Sequence, residues 1–112
     1  NTSDPESLQL IEGMISEYME LFTSRQFNLC ADETFDLGRG RNKEAVEKLG
    51  KDRVYINYVK KLAQFLLDNG VDEHREVVVC ERLSYDDEKI VRSTLKDIAN
   101  SEFTYMCIMV IY

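Results

Sequence analysis

The order of apolar segments predicts an α/β fold: three helix-then-strand units whose strands form a three-stranded parallel sheet, arranged as part of a (β/α)8 barrel or as a small open α/β sandwich. Two observations carry this expectation. Apolar residues recur at helical spacing in three stretches, and each stretch leads into a short run of consecutive apolar residues, as in strands buried on both faces. Length supplies a third: 112 residues suffice for a single core. They fall short of the roughly 250 that a complete eight-stranded barrel needs.

Asp4-Pro5-Glu6 starts the first helix with a capping carboxylate, a proline in the first turn and an acid near the positive end of the dipole. Leu8, Ile11, Ile15, Tyr18 and Phe22 then form one apolar stripe. Phe27 to Ala31 reads as the first strand. Gly38-Arg39-Gly40-Arg41-Asn42 is a loop, a weak phosphate signal without the lysine and hydroxyl ending of a P-loop, and is taken as a flexible connection. Lys43 to Asn69 is helical with a break near Gly50, carries Tyr55, Tyr58, Val59, Leu62, Phe65 and Leu66 on one face, and stops at Asn69-Gly70. Arg75 to Leu83, centred on Val77, Val78 and Val79, is the second strand. Ser84 and Asp86-Asp87-Glu88 are read as the start of a third helix with Ile90, Val91, Leu95 and Ile98 facing the core. Phe103 to Tyr112 is the last strand. Residues 1–112 therefore read as a single α/β domain, with residues 71–112 as a β-α-β extension.

Composition narrows the function classes. With 21 acids against 14 bases the net charge is −7, which opposes binding to nucleic acid and to anionic membrane surfaces. No signal peptide is recognisable, and a cytoplasmic location is expected. Cys30, Cys80 and Cys107 lie in apolar runs without a Cys-x-x-Cys pair and are read as free thiols. His74 is the only histidine, so no multi-histidine metal site can form. It falls in the acidic turn Asp72-Glu73-His74-Arg75 and is read as solvated. No cofactor and no metal are expected. Tyr55, Tyr58, Tyr85 and Tyr105 are left as core-edge residues without an assigned ligand.

The chemistry-bearing feature is the pair Asp32-Glu33, placed where the first strand gives way to a glycine-containing loop. Two neighbouring carboxylates at the carboxyl end of a strand are a pattern of acid–base sites, although a solvated acidic loop has the same composition.

Residues 1–70 resemble the catalytic region of family 20 glycoside hydrolases, the β-N-acetylhexosaminidases. The resemblance lies in the Asp4-Pro5-Glu6-Ser7 helix start, in Phe27-Asn28-Leu29-Cys30-Ala31-Asp32-Glu33-Thr34, and in Leu37-Gly38-x-Gly40-Arg41. It implies a barrel fragment with Glu33 as general acid and Asp32 orienting the substrate's own acetamide, acting on a β-linked N-acetylhexosamine glycan. It does not extend to residues 71–112, and the chain contains no tryptophan to floor a sugar site. Three strands cannot close a barrel, so the isolated chain is expected to be inactive, or to be a non-catalytic, engineered or recombined domain carrying the pair as a relic. A homodimer through the edge of the 103–112 strand is expected, because an unpaired apolar edge is a template for association.

Overall fold

A computed structural model describes residues 1–24, 27–28, 35–103 and 107–112, the Phe27 side chain excepted. Helix α1 spans Pro5–Leu21 and starts as the sequence predicts: the Asp4 carboxylate accepts the Glu6 N–H at 3.0 Å. A short 3-10 turn at Gly40–Asn42 leads into α2 (Lys43–Leu49), and α3 follows at Lys51–Asp68. Gly50, at φ +84°, makes the break between the two helices. At the far end of α3 the Val71 N–H donates to Leu66 O at 3.0 Å and the Gly70 N–H to Leu67 O at 3.1 Å. With Gly70 left-handed, this is the paired carbonyl capping that stops a helix.

The sheet differs from the expectation. Its strands are β1 (Phe27–Asn28), β2 (Glu76–Glu81), β3 (Lys89–Thr94) and β4 (Cys107–Ile111), in the spatial order β1-β4-β2-β3. Among the described residues every pairing is antiparallel, so the parallel sheet is corrected to three longer antiparallel strands flanked by the two-residue β1. The cause lies in residues 89–94. Lys-Ile-Val-Arg-Ser-Thr is rich in β-branched residues, and it folds back on β2 in full register from Glu76↔Thr94 to Glu81↔Lys89. Ser84 to Glu88, read as a helix start, lies in the loop of this hairpin. Only Leu95–Ala99 remains helical as α4, capped by Thr94 Oγ1, which accepts the Asp97 N–H at 3.2 Å. Residues 71–112 are thus β-β-α-β.

A second correction concerns association. Strand β4 is paired with β2 from Cys107 to Ile111 and with β1 at Val110 and Ile111, so among the described residues it is an inner strand of the sheet and not the exposed edge that was expected.

The core lies between one face of the sheet and the helices. Val77 and Val79 of β2, with Cys107, Met109 and Ile111 of β4, meet Val54, Tyr55, Val59, Leu62 and Leu66 of α3 and Leu95 and Ile98 of α4. Alternation along β2 sends Val78 and Cys80 to the opposite face, where their cross-strand partners are Arg92 and Ile90 on β3 and Val110 and Ile108 on β4. The void beneath Tyr55 is about 10 Å³, room for at most one water. Among the described residues no helix is long and apolar enough to cross a membrane.

Candidate functional site

The described residue that most needs a functional or structural explanation is Glu81. The alternation that buries Val77 and Val79 continues to position 81, so the last residue of β2 points its carboxylate toward the helix side and is only 4 % exposed. A carboxylate removed from water is costly unless it is partnered. Lys89, opposite it on β3, reaches in from solvent and brings Nζ to 3.3 Å from Oε2. On the other side Glu81 pairs with Cys107 of β4.

The loop above this carboxylate is tightly ordered by its own side chains. Arg82 Nε donates to Asp87 Oδ1 at 2.7 Å, and the guanidinium lies over the Tyr85 ring at 4.9 Å. The Ser84 N–H donates to Glu88 Oε2 at 2.8 Å, and the Tyr85 N–H to Arg82 O at 3.1 Å. The hydrogen bond from Arg82 holds the Asp87 carboxyl below the usual carboxylate range, and the same contact raises the guanidinium. Arg82 (φ 51°) and Ser84 (φ 67°) adopt left-handed backbone without being glycine. Such positions cost on the order of 1–3 kcal/mol each and persist where surrounding contacts over-determine them, as these do.

Between this hairpin and the segment after α4 lies an open cleft of about 390 Å³, lined by Glu81, Arg82, Asp87, Lys89, Glu102 and Phe103. Glu102 accepts from Lys60 Nζ at 2.9 Å, and this hydrogen bond lowers its carboxyl. Beneath the cleft, the Tyr55 hydroxyl donates to Cys107 O at 3.3 Å, while burial pushes the Cys107 thiol up. The arrangement offers two cationic side chains, three carboxylates and an aromatic edge to one ligand. It suits positioning and charge stabilisation of a polar molecule.

Asp32 and Glu33 lie outside the described residues, as do Cys30 and Tyr105. Among the other sequence candidates, Tyr55 is buried, Tyr58 is half-buried with its hydroxyl pKa raised first by burial and then by Glu12, and Tyr85 is exposed beside Arg82. His74 is exposed in its turn, its N–H donating to Asp72 Oδ1 at 2.9 Å. Cys80 and Cys107 are free thiols on opposite faces of the sheet. Among the described residues no group of three or more His, Cys, Asp or Glu is placed to hold a metal ion. Sequence reasoning missed Glu81, Arg82 and Lys89. The available signal was an acid in register with two buried valines, at the end of an apolar run.

No family model matches the chain. It is similar to a probable cobalt-precorrin-7 C(5)-methyltransferase of Methanocaldococcus jannaschii, 34% identical over 77 residues, which are 65% of this chain and 36% of that protein. It is also similar to a cobalt-precorrin-4 C(11)-methyltransferase of the same organism, 46% identical over 44 residues, 39% of this chain and 17% of that protein. The chain thus spans about a third or less of the length of these relatives. These similarities overturn the hexosaminidase resemblance. The glycan substrate rested on it and falls with it.

Proposed function

We propose that this chain is a segment of an enzyme that methylates a ring carbon of a cobalt-precorrin, and that the β2–β3 hairpin is the part of it that meets the substrate. The observation that carries this reading is the similarity to two proteins named for methyl transfer to cobalt-precorrins. They are named for different carbons, C(5) and C(11), so what the two names share, and what supports the reading, is the transfer chemistry and the substrate class, not the ring position. In such a transfer the ring carbon supplies the electron pair of the new bond, and the methyl donor departs with the pair of the broken one. The protein's task is to hold the two partners in line and to balance charge as it moves.

The cleft at the hairpin fits that task. A flat macrocycle is held by flat apolar surface beneath it and by charges at its polar rim. Phe103 supplies the first, and Arg82 and Lys89 supply the second. Glu81 fixes Lys89 at the cleft wall. A single unit across residues 1–112 is supported by the one core cluster that draws on residues from Ile15 to Ile111. Asp32 and Glu33 enter this reading as candidate carboxylates on the segment that follows β1.

The test is a titration of the purified chain with a cobalt-precorrin, followed by the visible absorption of the macrocycle. The chain is expected to shift the spectrum, and Arg82→Ala and Lys89→Ala are each expected to weaken binding about tenfold, the scale of one charge-assisted contact. No shift with the unmodified chain, or equal binding by all three proteins, rejects the hairpin as the contact. Unchanged binding in Asp32→Asn and Glu33→Gln removes those two residues from the site.

A further inference from the structure

The glycine-arginine loop, read from sequence as a flexible connection, forms one wall of a second cleft. Residues 35–42 and the N-terminal turn enclose about 400 Å³, lined by Asn1, Thr2, Phe35, Asp36, Leu37, Arg39, Arg41 and Asn42. The wall is preorganised. Asn42 is 8 % exposed, accepts the Gly38 N–H at 3.1 Å through Oδ1 and donates to Thr2 Oγ1 at 3.5 Å through Nδ2, which ties the loop to the N-terminal turn. Leu37 is buried in the core and anchors the same loop from below.

On this fixed base stand two guanidiniums that are nearly free in solvent. The side chains of Arg39 and Arg41 are 79% and 85% exposed, and their ion-pair partners, Asp36 and Asp4, lie 3.9 Å away in each case. That separation is about 1 Å longer than the 2.7–2.9 Å of a charge-assisted hydrogen bond, and exposed pairs of this kind contribute little. The arginines can therefore exchange an aspartate for a better-placed oxyanion at small cost. Phe35, whose ring is largely exposed, lines the same cleft. An exposed phenylalanine and two arginines lining one cleft offer a ligand both an apolar contact and a cationic anchor.

We propose that this cleft is a binding site for an organic oxyanion, a planar or apolar small molecule held through a carboxylate or phosphate by Arg39 and Arg41, with its apolar body against Phe35. The site stands apart from the β2–β3 hairpin and does not depend on the methyl-transfer reading.

The experiment measures binding of 2-naphthoate and 2-naphthyl phosphate by their fluorescence anisotropy, with the neutral 2-naphthol as a control and inorganic phosphate as a non-fluorescent competitor. At least one of the two naphthyl anions is expected to bind; which one does so distinguishes a carboxylate from a phosphate ligand. Arg39→Ala and Arg41→Ala are each expected to weaken it about tenfold, and Phe35→Ala several-fold. Lys48→Ala, an equal loss of charge on α2 away from the cleft, is expected to leave binding unchanged, and rising salt is expected to weaken it in the unmodified chain. All substituted side chains are exposed, and unaltered circular dichroism checks that the variants fold. Equal binding of 2-naphthol overturns the cationic anchor. Inorganic phosphate that binds as tightly as 2-naphthyl phosphate overturns the role of Phe35. Failure of both naphthyl anions to bind, or equal weakening by Lys48→Ala, overturns the site.

Discussion

Helices α1 and α3 are nearly equal in length, 17 and 18 residues, and each carries an apolar stripe at helical spacing. In α3 the stripe is covered: Val54, Tyr55, Ile56, Val59, Leu62, Ala63 and Leu66 are all buried against the sheet, α4 and neighbouring loops. In α1 only Ile15 is buried, with Leu8, Ile11 and Met19 packed at the margin, while Tyr18 and Phe22 of the stripe remain 45% and 60% exposed and Leu10, off it, 66%. Periodicity therefore tells that a helix forms and which face is apolar. It does not tell how much of that face the rest of the chain covers.

Truncation measures the contrast most directly. Leu62→Ala in α3 is expected to lower stability by about 2–5 kcal/mol, as for other fully buried leucines, whereas Leu10→Ala in α1 is expected to fall within about 0.5 kcal/mol of the unmodified chain. Urea denaturation of both variants checks the difference, and equal losses would break the comparison. A smaller effect is expected at the start of α4. Thr94→Ala removes the acceptor for the Asp97 N–H and is expected to cost about 1 kcal/mol. Smaller again is the exposed pair of α2, where Lys48 Nζ lies 2.7 Å from Glu44. Lys48→Ala is expected to change stability by about 0.3–0.5 kcal/mol.

pH dependence sharpens the same contrast between surface and core. Asp87 and Glu102 are held below their ordinary values of 3.8 and 4.5, chiefly by hydrogen bonds from Arg82 and Lys60. The unfolded chain binds their protons first, so the stability they contribute is complete above those ordinary values and is lost as pH falls through the lower folded values. Both groups are on the surface, and the loss is expected to be slight. Cys107 is raised from 9.0, with burial as the largest cause. Above pH 9.0 the unfolded thiol ionises while the folded one does not, so stability is expected to decline as pH rises from there toward the folded value. Thermal unfolding against pH reads both branches, and Cys107→Ala is expected to flatten the alkaline one.

What was legible in the sequence was punctuation. Asp4-Pro5, Gly50 and Asn69-Gly70 end or start helices where they were read to do so, because a capping carboxylate, a positive φ and a missing side chain act within a few residues. Strand direction was not legible, since it depends on which segment a strand folds back upon. Residues 89–94 were misread because Ile90, Val91, Leu95 and Ile98 also satisfy a helical period, and the acids at 86–88 imitate a helix start. The β-branched content and the register with β2 decided the outcome. Glu81 was overlooked because an acid at a strand end ordinarily faces water, and only its alternation with Val77 and Val79 marks it as inward. Asp32 and Glu33 stand out in the sequence as neighbouring carboxylates after an apolar run, and they fall outside the described residues.

The antiparallel hairpin that seats Glu81 against Lys89 underlies both the corrected fold and the proposed substrate contact. Nuclear Overhauser contacts across the sheet test it most directly, with Val79 labelled. The expected result is simultaneous contact of Val79 with Val91 and with Met109, its register partners on β3 and β4. Absence of the Val79–Val91 contact, together with sequential helical contacts through residues 89–94, would contradict it.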